Sequence, residues 1–146
     1  MIDRQLVEQK LDRIRQYLTE LEPYASMDYG AYLNSNEHYR TAERLLQLIV
    51  DAAVEVNAHL LVESGRAAPD DYHVSFTNLA LLGVLEAVFA ETIAKSAGLR
   101  NRLVHDYADV NALMVFESIP HALRDYRTYI ERVLAFLDRL DSRTTT

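Results

Sequence analysis

The sequence predicts an all-α protein: an up-and-down bundle of four main helices with short additional helical segments. Two observations lead there. Apolar residues recur at spacings of three and four along most of the 146 residues. Leu, Ala, Glu and Arg are abundant while only four Gly and three Pro punctuate the chain, which favours long helices over many strands and turns.

The first helix carries Val7, Leu11, Ile14, Leu18 and Leu21 as one apolar stripe. Pro23 is expected to end it. Between Pro23 and Asn34 the chain is tyrosine-rich, with Tyr24, Tyr29 and Tyr32 around Asp28 and Gly30, and reads as a connector or short helical turn. These rings could stack bases or simply cover a small core. Ser35 or Asn36 caps a second helix that runs to Gly65, a good residue for the position just past a helix end. Arg40, Arg44, Gln47, Asp51, Glu55 and His59 form a polar line along it. That line is either a solvated face laced by ion pairs, or one whose Arg40 and Arg44 border the same cleft as Arg100.

Residues 66–74, including Ala67-Ala68-Pro69-Asp70-Asp71, form a loop. Ser75 or Thr77 is then expected to cap a third helix carrying Phe76, Leu79, Leu82, Leu85, Val88, Phe89 and Ile93. Being apolar on most sides, it reads as the most buried element. Lys95-Ser96-Ala97-Gly98 should close it. A short segment, Leu99 to His105, would follow, with Leu99, Leu103 and Val104 inward and Arg100, Asn101 and His105 near the surface. Asp109 or Asn111 caps the last helical region, where Pro120 should kink the helix or start a new one. Leu123, Tyr126, Ile130, Val133, Leu134 and Leu137 continue its apolar pattern. The polar tail, from Asp138 and most clearly over 141–146, is expected to fray. His73 and His121 read as surface or packing histidines.

Length and composition fit one domain over 1–146. Cysteine is absent, so disulfides and thiolate metal sites are excluded. No Gly-rich phosphate loop or His-x-x-x-His pair is found. The N-terminus lacks the apolar core of a signal peptide, and the longest strongly apolar stretch, Leu79 to Leu85, is far short of a bilayer span. The expectation is a soluble cytoplasmic protein with no membrane contact. A formal net charge of −7 argues against a general nucleic-acid coat, so any such role needs a concentrated site. Arg100 and Arg102 mark the obvious one.

The stretch Arg100-Asn101-Arg102-Leu103-Val104-His105-Asp106-Tyr107 puts a permanent cation, a group titrating near neutrality and a phenol within eight residues. Arg100 and His105 lie five apart, about 140° around a helix, so they straddle one broad face. Read alone, the stretch could be a surface ion network with Asp106, and Tyr107 a helix-end aromatic packing on the bundle.

The stretch resembles the Arg-x(4–6)-His motif of HEPN domains, and the tyrosine after His-x narrows it to the HepT-like group. Glu43-Arg44-Leu45-Leu46-Gln47, Asp51, Ser75-Phe76 and Ala97-Gly98-Leu99 agree with that group over most of the chain. The resemblance implies a helical homodimer acting as a metal-independent, cofactor-free RNA endonuclease toxin. It implies a partner too, an MntA-like minimal nucleotidyltransferase antitoxin that silences the toxin by transferring AMP to the motif tyrosine, here Tyr107. By position, Arg100 and His105 are catalytic and Asn101 matches the polar residue that follows the Arg. Arg102, Arg40, Arg44 and Asp51 are supporting, RNA-binding candidates.

RNA cleavage without a metal needs a base for the 2′-OH, an acid for the leaving oxygen, and positive charge near the phosphorane. One motif supplies a single histidine, so a two-fold cleft with two facing motifs is expected to complete the set. Two other classes remain open: a non-catalytic helical module that docks substrate on a nucleotidyltransferase, and a purely structural interaction bundle.

Overall fold

The computed structural model describes residues 1–144, and side chains to Arg143. Six α-helices and one 3₁₀ turn follow in order: α1 (Arg4–Ala25), α2 (Tyr29–Leu33), α3 (Asn36–Glu63), α4 (Tyr72–Leu81), α5 (Ala87–His105), the turn Tyr107–Asp109, and α6 (Ala112–Thr144). No strand occurs among the described residues. The four long helices are α1, α3, α5 and α6; α2 and α4 are the short ones.

α1 buries the stripe that periodicity selects: Val7, Leu11, Ile14, Leu18 and Leu21. The Asp3 carboxylate caps it by accepting from the Leu6 N–H at 3.1 Å. Pro23 does not stop it, and the helix continues to Ala25. A proline in the last turn removes one N–H, the one that would reach the residue-19 carbonyl, and both residues are exposed, so water can serve that carbonyl.

α3 is the hub: it packs against α1, α2, α4, α5 and α6. Ser35 caps it through the His38 N–H. Eleven of its residues are buried, against three from α4 and four from α5, so the most buried element is α3 and not the third helical region. By length and composition α3 alone among the described helices could cross a membrane; here its apolar side is the middle of the bundle.

The third helical region departs most from expectation. Asp71, not Ser75 or Thr77, caps α4, accepting from the Val74 N–H at 2.7 Å. The chain breaks at Gly83 (φ +78) and runs unbroken through Gly98 to His105. Gly83 N–H bonds the Ala80 carbonyl and Val84 N–H bonds that of Leu79, a paired closure requiring a left-handed residue. The same closure at Gly65 (φ +85), with Arg66 N–H on Leu61, ends α3. Val88 sits past the break and is 81% exposed. A methyl group at Gly98 would meet nothing within 4 Å. Gly98→Ala should therefore stabilise by up to about 1 kcal/mol through helix propensity, and Gly83→Ala should cost about 1 kcal/mol or more through its positive φ. Urea unfolding of the two variants checks the opposed signs.

Asn111 caps α6, its side chain accepting from the N–H groups of Leu113 and Met114. α6 is one helix through Pro120 and on to Thr144, so its C-terminal part is helical where fraying was expected. Arg4 reaches across from α1 to Asp138 at 2.8 Å and to Asp141. Of the predicted tail, residues 145–146 lie outside the described residues.

Asn57 and Ser75 are the polar residues buried in the core among the described residues. The Asn57 amide donates to Ser75 Oγ at 3.0 Å, and the Tyr129 hydroxyl donates to Asn57 Oδ1. Ser75 Oγ donates to the Tyr72 carbonyl at 2.7 Å. One network thus ties α3, α4 and α6 together and leaves its members satisfied, as a core requires.

Candidate functional site

The Arg100–Tyr107 stretch occupies the C-terminal turns of α5 and the first residue of the 3₁₀ turn. α5 can present it because Ala90, Ile93, Ala94 and Ala97 bury one face, and Leu99 and Leu103 carry that packed face into the last turns.

Arg100 does not lie open at the surface: its side chain is only 14% exposed. Nε donates to Asp51 Oδ1 on α3 at 2.7 Å. Its guanidinium carbon stands 4.5 Å from the centroid of the Tyr72 ring, a cation–π contact. Its Nη1 also reaches Asn101 Oδ1 at 3.3 Å. The carboxylate, the ring and the stiff fork hold the cation in one orientation. Burial first, then the Asp51 carboxylate, pushes the Tyr72 phenol above its ordinary pKa. His105 and Asn101 are exposed, and so is Val104 at 39%, where an inward position was expected. Leu99 and Leu103 pack on the core.

Two clefts flank this end of α5. A groove of about 580 Å³ lies between α5 and α6, with an apolar floor that includes Ile49, Leu99 and Tyr126. Lys95, Arg100, Arg102, His121 and Arg124 line it too, a local basic concentration on an acidic chain. Asp125 tempers it. The second, about 410 Å³, is lined by Arg40, Glu43, Arg44, Gln47, Leu103 and Tyr107. Arg40 and Arg44 therefore border the cleft of Tyr107, while Arg100 lines the other groove. No cluster of three or more His, Asp or Glu suited to a metal occurs among the described residues.

In the second cleft the Tyr107 hydroxyl donates to Glu43 Oε1 at 2.9 Å. Burial pushes the Glu43 carboxyl above the usual carboxylate range, opposed by the Tyr107 hydrogen bond and by Arg40. The Tyr107 phenol is raised as well, by burial and then by that carboxylate. Below this cleft the α2 tyrosines serve packing: Tyr32 is fully buried, and its ring meets Phe116 at 4.9 Å.

Tyr72 and Glu43 are the residues that spacing does not single out. Tyr72 reaches Arg100 only through the tertiary fold. Glu43 is part of the Glu-Arg-Leu-Leu-Gln stretch, and its place between Arg40 and Arg44 on one helical face was its one local signal.

Comparison with known proteins identifies the family of the chain as a whole. The family model "Ribonuclease HepT-like" matches residues 14–133. The tRNA nuclease HepT of Aphanizomenon flos-aquae is 36% identical over 142 residues, covering 96% of this chain and 95% of that protein. The mRNA nuclease HepT of Shewanella oneidensis is 29% identical over 90 residues, 62% of this chain and 68% of that one. Among solved structures, the tri-AMPylated HEPN toxin of Shewanella oneidensis in complex with MNT antitoxin superposes with a TM-score of 0.82 at 22% identity, over 91% of this chain and 99% of that one. A toxin–antitoxin structure with AMP-PNP gives 0.82 at 21% identity over 90% and 99%. These structural likenesses concern the fold. The family model spans most of the chain, and a relative aligns over nearly its whole length; this protein belongs to the HepT-like ribonuclease family.

Proposed function

We propose that the chain is the toxin of a HepT/MntA-type pair: a metal-independent, cofactor-free cytoplasmic RNA endonuclease. It acts through Arg100 and His105, and AMP transfer to Tyr107 silences it. The observation that carries this reading is Arg100 itself. A guanidinium held by Asp51 and Tyr72, five residues before an exposed histidine on the same helix, is a pre-aimed phosphate clamp on the helix that carries an acid–base group.

In the reaction, an imidazole removes the 2′-OH proton and the oxygen attacks the adjacent phosphorus. A protonated imidazole gives its proton to the leaving 5′-oxygen, and Arg100 neutralises the phosphorane. Two histidines are needed at once, and a two-fold pairing of chains with facing motifs supplies them. Exposed Val104, Leu113 and Met114 support that pairing, since they would be covered by a second copy. Arg102 and Arg124 on the α5/α6 groove supply the charge that would hold the RNA backbone. The relatives named as tRNA and mRNA nucleases support RNA as the substrate, and the complexes with MntA-type antitoxins support the partner.

The test is cleavage of labelled RNA by the purified, unmodified protein in EDTA. Cleavage is expected, and so is its disappearance once a nucleotidyltransferase and ATP have added mass in AMP steps at Tyr107. An unmodified protein that binds the nucleotidyltransferase and leaves every RNA intact would instead mark the chain as a docking module.

A further inference from the structure

The cleft beside Tyr107 holds a group for which RNA cleavage has no use. Glu43 is half-buried on α3, between the exposed Arg40 and Arg44 and facing the phenol rather than solvent. We propose that Glu43 is the proton acceptor when Tyr107 is nucleotidylated, so that the toxin contributes a catalytic residue to its own silencing. This rests on the reading of Tyr107 as the modified residue.

A phenol attacking phosphorus must lose its proton as the new bond forms. At neutral pH Tyr107 is held as the phenol, because burial and the neighbouring carboxylate both oppose its ionisation. The proton must therefore leave during attack, and a base has to be in place beforehand. Glu43 Oε1, 2.9 Å from the hydroxyl, already accepts that hydrogen bond, within the reach a general base requires. The step balances as follows. A lone pair on Tyr107 Oη attacks the α-phosphorus of the nucleoside triphosphate carried by the nucleotidyltransferase. The Oη–P bond forms, the bond from α-phosphorus to the bridging oxygen breaks, pyrophosphate leaves with the electron pair, and the proton passes to Glu43. Arg40 and Arg44 on the same cleft wall are placed to neutralise the phosphodiester that remains.

Burial raises the Glu43 carboxyl, which makes it a stronger base than an exposed glutamate. The titratable and charged groups around it are Tyr107 from the 3₁₀ turn, Tyr32 from α2, and Arg40 and Arg44 from its own helix. Modification should therefore slow as pH falls through a value above the ordinary glutamate range, the base being lost by protonation.

The experiment measures initial rates of AMP incorporation from labelled ATP by an MntA nucleotidyltransferase. It uses the full chain as wild type, Glu43→Gln, Glu43→Asp and Tyr107→Phe, across pH about 5 to 9. Glutamine still accepts the tyrosine hydrogen bond but cannot take the proton, so it separates catalysis from positioning. Glu43→Gln is expected to slow labelling about a hundredfold at neutral pH, to lose the acid-side inflection, and to keep its affinity for the nucleotidyltransferase. Glu43→Asp should recover part of the rate. Labelling of Glu43→Gln at the wild-type rate overturns the proposal, and so does a rate loss matched by an equal loss of affinity. Wild-type protein that takes no label at Tyr107 overturns the underlying reading instead, and this one with it.

Discussion

His105→Ala is expected to abolish RNA cleavage, lowering the rate about a thousandfold, the scale of a lost general acid–base group. Its thermal stability should be nearly unchanged. His105 is exposed on the last turn of α5, so truncation leaves no cavity and no orphaned partner. Arg100→Ala should reduce cleavage by about two to three powers of ten through loss of charge stabilisation, and here the physical consequences differ. The substitution leaves Asp51 without its guanidinium and Tyr72 without its cation, so a modest drop in stability accompanies the loss of activity. Single-turnover cleavage and thermal melting of both variants provide the check. Cleavage by His105→Ala at more than a tenth of the parent rate would rule the histidine out as acid or base. If two facing motifs share one cleft, mixed dimers carrying one wild-type chain and one His105→Ala chain should be nearly inactive, because one imidazole cannot serve both oxygens.

The largest stability loss is expected at the buried polar network. Asn57→Ala should destabilise the fold by about 3 kcal/mol, since it opens a cavity and strips partners from two hydroxyls. Ser75 Oγ loses its donor and the Tyr129 hydroxyl its Asn57 acceptor. Tyr129 keeps its longer bond to the Ala53 carbonyl at 3.2 Å, which limits the damage on that side. For a chain of this length the loss corresponds to roughly 10 °C in Tm. Denaturant titration would measure it, and a shift under about 1 kcal/mol would show that the core re-pairs its hydroxyls after truncation. The network does not touch His105, so cleavage per folded molecule should persist in the cold. That outcome separates a folding defect from a catalytic one.

The two halves of the chain differ in how much of them could be read locally. The α1 stripe from Val7 to Leu21 and the stop at Gly65 were legible, and Ser35 and Asn111 were each one of two caps the sequence offered, because each is an interaction between residues within a turn or two. The third region was not. Leu81-Leu82-Gly83 and Ala97-Gly98-Leu99 look alike as strings, yet the first Gly is left-handed and ends a helix while the second is helical. What separates them is the packing of Val84 and Leu85 into the core, which requires the chain to turn at Gly83. Pro23 misled in the opposite sense: it sits on an exposed helix face, where its missing N–H leaves a carbonyl that water can reach.

By itself the sequence determined the helical class, the apolar faces, and a compact Arg–His–Tyr stretch at 100–107 that carries the family likeness. Only the tertiary structure decided where those three side chains lie and what they touch. It turned Arg100 inward onto Asp51 and Tyr72, left His105 in solvent, and set Tyr107 against Glu43 across a separate cleft. The physical reason is range. Periodicity and capping act over a few residues along one helix, whereas the partners of Arg100 and Tyr107 lie on α3 and α4. Sequence spacing cannot encode the distance of closest approach between helices; the shared core sets it.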